Sequence, residues 1–179
     1  MAKKKKQNKI QWIITITVLA FFISFLFSLL SETLIPKVNL FGGIVILILF
    51  IAFGVLFDMI GVSVTSADER PFHSMSARKV KGANMAVKFI KNRDKVSSFC
   101  NDVVGDICGI LSGSAGVMIA TTLSSTFSFN PFITSLLVTS IVAALTIGGK
   151  ALGKGVAIKN STTILYTFSK IMSFFSKGK

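Results

Sequence analysis

The sequence predicts an all-α integral membrane protein with four transmembrane helices and basic amphipathic helices beside the membrane. Three observations predict this class: 51% of the 179 residues are hydrophobic, the mean hydropathy is +0.72, and only 15% of the residues are charged. Most of the charged residues are basic, which gives the chain a formal net charge of +13. A soluble domain mixes charges of both signs over a solvated surface, whereas an apolar and basic chain is typical of a membrane protein.

Four apolar stretches are long enough to cross a bilayer, whose hydrocarbon core takes about 20 helical residues. Pro36, in the segment SETLIPK, indicates a turn between the first two stretches. No charged residue lies between Asp106 and Lys150, and the segment SSTFSFNPF divides this region into the third and fourth spans. The predicted spans are about residues 12–30, 38–60, 102–123 and 132–149 of a single membrane domain, 1–179.

The positive charges indicate the orientation of these spans. Of the 20 Lys and Arg residues, 19 lie in the N-terminal segment, in the loop 63–101, or in the tail after Gly149. Short loops rich in Lys and Arg stay on the cytoplasmic side. We therefore expect a multi-pass protein of the plasma membrane with both termini in the cytoplasm.

Two basic segments outside the spans have helical periodicity, at about residues 76–91 and 161–175. Helices that are basic on one face and apolar on the other lie in the membrane interface, where anionic lipid attracts their lysines. The lipid bilayer is thus an expected partner. Nucleic acid is not, since so apolar a chain leaves no solvated surface for a basic groove.

The stretch FCNDVVGDICGILSGSAG, residues 99–116, places two acids one helical turn apart at the mouth of the third span. Asp102 and Asp106 share a face of an α-helix, and a carboxylate near the membrane interior costs roughly 2.5 to 3.5 kcal/mol. The predicted spans contain no Lys or Arg to pair with these acids, which favours a mobile cation or a water-filled cavity. A hard ion such as Mg²⁺ takes oxygen ligands, and the candidates are Asp58, Ser63, Ser66, Asn101, Asp102 and Asp106.

Two further interpretations of this span stay open. Asp102 and Asp106 also fit the first turn of a helix in the wet interface, where the helix dipole favours acids and no ion is needed. The second concerns Gly105, Gly109 and Gly113, whose spacing of four residues gives one face with almost no side chain. Such a face lets another helix approach closely, and we expect it to support a homodimer.

Four segments together resemble motifs of the CNNM/CorB (CorC) type magnesium transporters. They are GVSVTSADE (61–69), ANMAVKFIKNRDKVSS (83–98), CNDVVGD (100–106) and GKALGKGVAIKNS (149–161), and their order and spacing match the membrane domain of that family. The match departs from the family where Lys150 and Gly153 replace its Glu and Pro. The family continues into a nucleotide-binding CBS pair and a C-terminal domain, to which nothing here corresponds, so regulation by ATP is not carried over.

The resemblance implies a homodimer with an inward-open cavity in which hydroxyl and amide oxygens coordinate Mg²⁺ for export, coupled to Na⁺ entry. Ser63, Ser66 and Asn101 correspond to the family's motifs, and Asp102 and Asp106 are additions of this chain. The alternative is a non-transporting interaction or regulatory subunit of the same fold, with a separate cytosolic chain as its partner. We do not expect an enzyme, because His73 lies in a charged loop and no Gly-x-Ser-x-Gly elbow is present.

Overall fold

The structure is a computed structural model that describes residues 2–34 and 38–176. Over these ranges the chain is helical and has no β-strand, which confirms the predicted all-α class. Four helical stretches are long and apolar enough to cross a membrane, as the sequence predicts. The turn predicted at Pro36 lies outside the described residues.

In the described residues, eight α-helices and one π-helical segment follow one another. The long helices are α1, α2, α6 and α7, and the third candidate span, Arg93–Phe127, joins α5, the π-helical segment and α6. The elements are α1 (Ala2–Leu34), α2 (Leu40–Ser66), α3 (Arg70–Ala77), α4 (Ala83–Lys91), α5 (Arg93–Ser98), the π-helical segment (Phe99–Gly105), α6 (Asp106–Phe127), α7 (Pro131–Lys159) and α8 (Ser161–Ser176).

Polar and turn-forming residues set the ends of the long helices. Asn39 Oδ1 accepts a hydrogen bond from the backbone N–H of Gly42 at 3.0 Å, at the start of α2. Asn130 Oδ1 likewise accepts from the N–H of Phe132 at 3.0 Å, just before the proline that opens α7. Ser128, at φ 55°, follows the last residue of α6 in the left-handed conformation that commonly ends helices.

The chain forms two compact units, and the first consists of Met1–Ile51 and Asp106–Ala144. Its buried core is apolar and is built by Leu47, Ala115, Ile119 and Val142. Close packing there depends on a glycine, because a Cβ atom on Gly116 would lie 3.1 Å from Val142 Cγ2. A small apolar cluster between helices therefore forms the core of the first unit.

The second unit consists of Ala52–Gly105 and Leu145–Lys179. Its core lies where α3, α4 and α8 pack together, and the rings of Phe89 and Phe168 stack there with centroids 5.5 Å apart. The amphipathic faces predicted for the basic segments are therefore buried against one another in this unit. The buried core residues are Val64, Ala67, Phe72, Ala86, Val87, Ile90 and Leu165.

The two predicted interfacial helices differ in how continuous they are. The segment 161–175 is helical within α8, whereas 76–91 contains the end of α3, a turn and α4. Lys79 (φ 55°) and Gly82 (φ 88°) adopt left-handed conformations in this turn. A Cβ atom on Gly82 would lie 2.9 Å from the Cα atom of Lys170, so the close approach of α8 also requires glycine here.

Candidate functional site

The second half of α2 packs against α7 within the second unit. A Cβ atom on Gly149 would lie 3.0 Å from Val55 Cγ2, and Ser63 Oγ lies 3.5 Å from the carbonyl oxygen of Ala157. Gly153 lies between these two contacts and is equally close to α2. The residue numbers increase in the same direction along both helices from the first contact to the second, so α2 and α7 run parallel. The small residues 149, 153 and 157 form a packing stripe at four-residue spacing, a sequence signal that our prediction missed.

The π-helical segment packs on another part of α2. A Cβ atom on Gly61 would overlap the side-chain amide of Asn101, and one on Gly105 would lie 3.8 Å from the carbonyl oxygen of Gly54. The earlier residue of α2 meets the later residue of the π-helical segment, so these two elements run antiparallel. We call this packing surface the α2/π contact.

Asp58 is the acidic residue of the α2/π contact. It follows Gly54 by four residues and precedes Gly61 by three, which places it on the same face of α2. Only 4% of its surface is exposed, and its Oδ2 atom is buried without a hydrogen-bond partner. Leaving such a buried acceptor unsatisfied costs free energy, more when it is charged.

Asn101 contributes a second buried acceptor to the same contact. Its Oδ1 atom is buried without a hydrogen-bond partner, while its Nδ2 group donates to Ser97 Oγ at 3.4 Å. The α2/π contact thus contains two oxygens that lack donors, one from a carboxyl group and one from an amide. Each is an acceptor that a hydrogen-bond donor or a cation would satisfy.

The segment that carries Asn101 is π-helical from Phe99 to Gly105. Its hydrogen bonds run from residue i to i+5, and such segments are frequent at functional sites. Asp102 lies in this segment, and Asp106 is the first residue of α6. Both side chains are exposed, so the expectation of two buried acids is wrong, and the buried acid is Asp58.

The two predicted serine ligands lie elsewhere on α2. Ser63 is fully buried, but its hydroxyl donates to the carbonyl oxygen of Met59 at 2.7 Å and faces Ala157 of α7. Since five α-helical residues turn the chain by roughly 140°, Ser63 is on a different face from Asp58. Ser66 is exposed at the end of α2. Neither serine belongs to the α2/π contact.

A lysine approaches the α2/π contact from α7. Lys150 Nζ would lie 3.7 Å from a Cβ atom on Gly105. The helix that carries it continues to Lys159, ten residues beyond the end predicted for the fourth span.

The donor set of the α2/π contact is small. Among the described residues, no group of three or more His, Cys, Asp or Glu side chains could hold a metal ion. One carboxylate and one amide oxygen therefore make up the buried protein ligands. Mg²⁺ usually keeps several of its waters and binds through one or two carboxylates, so two protein oxygens alone do not complete its octahedral coordination.

The predicted glycine stripe divides into a packed part and an open part. Gly105 is packed, since its Cβ atom would lie 3.3 Å from a backbone carbonyl oxygen. For Gly109 and Gly113, no atom of the described chain lies within 4 Å of the Cβ position. Gly116, three residues beyond Gly113, is closely packed, since its Cβ atom would lie 3.1 Å from Val142 Cγ2. The open positions remain available to a second helix.

Comparison with known proteins assigns no family to this architecture. No family model matches the chain, and no curated protein sequence matches it. The fold itself defines the class as an all-α protein with four helices able to span a membrane. The resemblance to the CNNM/CorB family remains a prediction from four motifs.

Proposed function

We propose that the protein is a divalent-cation transporter, or a transporter-like membrane domain, that binds hydrated Mg²⁺ at the α2/π contact. The observation that supports this function is the pair of buried acceptors without donors, Asp58 Oδ2 and Asn101 Oδ1. An apolar helix that is long enough to span a membrane has no structural need for a carboxyl group that is 4% exposed. Ionisable residues inside membrane helices usually belong to ion or substrate pathways.

The small number of ligands favours transport over permanent storage of the ion. A transport site must attract an ion strongly enough to take it up and weakly enough to release it. One carboxylate, one amide oxygen and retained water meet that requirement better than a cage of several acids would.

The binding step is tested by thermal unfolding of the full chain in detergent over a Mg²⁺ titration. A ligand that binds only the folded state stabilises it by about 2.7 kcal/mol at 100 times its Kd. Asp58→Asn should abolish this stabilisation and raise the stability of the metal-free protein, because a neutral amide is cheaper to bury than a carboxylate. Asp94→Asn, an exposed acid of α5, is the matched control. A full Mg²⁺ response in Asp58→Asn would contradict the site.

The transport step is tested separately in proteoliposomes that contain a Mg²⁺-sensitive dye. We expect Mg²⁺ flux in the wild type and none in Asp58→Asn, with flux that depends on an opposing Na⁺ gradient if the coupling follows the resemblance. Binding in detergent without flux in liposomes would favour the alternative function described next.

The alternative is a non-transporting membrane subunit that binds a partner protein and regulates it. Two observations favour it: none of the apolar stretch Ile10–Leu29 of α1 is buried, and Gly109 and Gly113 have open space beside them. Its partner would be a second copy of this chain or a separate cytosolic regulatory protein. Gly109→Leu should reduce the mass of the detergent-solubilised assembly, measured by light scattering, if the stripe forms a homodimer.

The proposed orientation is a plasma-membrane protein with cytoplasmic termini, based on the distribution of lysines. The loop that contains Asn130 would then face outwards. A cysteine introduced there, as Asn130→Cys, should react with an impermeant maleimide from outside only. The native Cys100 and Cys108 are both buried, so they leave the background low. Reaction from the cytoplasmic side alone would contradict the four-span topology.

A further inference from the structure

We propose that the groove between α4 and α8 is a specific binding site for the headgroup of an anionic phospholipid. The groove has a volume of about 970 Å³ and lies wholly within the second unit. Gly82 brings the two helices together at its base, where its Cα atom faces the backbone of Lys170. The groove is thus part of the packed fold.

Among the described residues, four lysines and no acidic side chain line this groove. Lys79, Lys81 and Lys88 come from the α3–α4 turn and from α4, and Lys170 comes from α8. The groove therefore concentrates positive charge from two separate parts of the chain. A phosphate group is the anion whose charge and acceptor oxygens fit such a set, and each lysine near a membrane surface contributes about 1 kcal/mol toward anionic lipid.

The backbone of the α3–α4 turn is held in an unusual conformation at this groove. Lys79 has φ 55°, a left-handed conformation that residues other than glycine seldom adopt. The hydroxyl of Ser76 donates to the side-chain oxygen of Asn84 across the turn. Strained residues of this kind are concentrated at binding sites, and here the strain places a lysine at the rim of the groove.

Apolar side chains on α8 distinguish a phospholipid from a free phosphate ion. Phe174 and Phe175 line the same groove and are 81% and 72% exposed. Ile171, 53% exposed, continues this apolar side of the groove. A free phosphate would leave these side chains in water, whereas an acyl chain would cover them while its headgroup lies among the lysines.

The experiment measures the thermal stability of the full chain in a neutral detergent. Dioleoyl phosphatidylglycerol should stabilise it with a saturable dose response, and dioleoyl phosphatidylcholine or inorganic phosphate should not. The double variant Lys81→Gln, Lys88→Gln should weaken the apparent affinity for phosphatidylglycerol roughly tenfold or more. The variant Lys81→Arg, Lys88→Arg keeps the charge and should retain the affinity.

The matched control removes the same charge outside the groove. Lys91 and Lys159 are exposed and do not line it, so Lys91→Gln, Lys159→Gln should change the affinity less than twofold. An equal loss in both double variants would overturn the proposal, since it would mean diffuse attraction to the basic surface. Equal stabilisation by inorganic phosphate would also overturn it, in favour of a phosphate site.

Discussion

The two compact units differ in whether their buried polar side chains have partners. The first unit packs around Leu47, Ile119 and Val142, and its buried Ser112 and Ser124 hydroxyls donate to backbone carbonyl oxygens. Within the described chain, the three buried side-chain oxygens that lack a partner all belong to the second unit, on Asp58, Asn101 and Ser169. The lysine-lined groove belongs to it as well. The difference indicates that the first unit serves mainly stability, while the second accepts a cost in stability at positions suited to binding.

The largest effect is expected from a cavity in the first unit. Leu47 is 6% exposed, and Leu47→Ala should lower the free energy of unfolding by about 2 kcal/mol or more. The Mg²⁺ response of the folded protein should not change. Leu49→Ala is the control, because Leu49 is 61% exposed and leaves no cavity. Loss of the Mg²⁺ response in folded Leu47→Ala would break the proposed division of roles.

A smaller loss is expected where α7 packs on α2 in the second unit. Gly153→Leu should destabilise the protein by about 1 to 3 kcal/mol through overpacking, because its Cβ atom would lie 2.9 Å from Met59 Cγ. Gly155 has open space within 4 Å in the described chain, so Gly155→Leu is the matched control in the same helix. Both variants gain helix propensity alike, and equal stabilities in a thermal unfolding assay would refute the parallel packing.

A moderate effect on binding is expected at Gly61. Gly61→Ala should displace the Asn101 amide from the α2/π contact and weaken Mg²⁺ binding several-fold, about 1 kcal/mol. Gly109→Ala, at an open position, should leave the affinity unchanged. Isothermal titration calorimetry on both variants measures this difference. An unchanged affinity in Gly61→Ala would remove Asn101 from the proposed ligands.

The smallest effect is expected at two buried serines, one in each unit. Ser169 is fully buried and its hydroxyl has no partner, so Ser169→Ala should be neutral or stabilise the protein by about 1 kcal/mol. Ser112 is also fully buried, but its hydroxyl donates to the carbonyl oxygen of Gly109 at 2.9 Å. Ser112→Ala should therefore destabilise by about 1 kcal/mol. Thermal unfolding that ranked the two variants the other way would contradict the contrast between the units.

The fold class could be predicted from the sequence because it depends on local features. The length of each apolar stretch gave the four spans, and the spacing of apolar residues gave helices in both basic segments. The break between α3 and α4 could not be predicted from the spacing of apolar residues alone. Gly82 is visible as a glycine, but the close approach of Lys170 that requires it is a contact between distant parts of the chain.

The residue types of the candidate site could be predicted from the sequence, but the positions of their side chains relative to one another could not. Asp58 and Asn101 were named as oxygen ligands, but the prediction gave the central role to Asp102 and Asp106, which are exposed. The reason is that Asp58 lies on the face of α2 that packs against the π-helical segment, a contact between distant parts of the chain that residue spacing does not show. The position of Lys150 beside Gly105 also depends on the packing of α7, which residue spacing does not encode.

The parallel arrangement of α2 and α7 has a consequence for biosynthesis. Ser63 and Ala157, which meet between these helices, are 94 residues apart, and at about 5 to 20 residues per second a ribosome needs roughly 5 to 20 s to bridge that interval. During this time the face of α2 that carries Ser63 has no α7 to pack against. A chain that folds as it is synthesised would therefore complete the contact of α2 with the π-helical segment before its contact with α7.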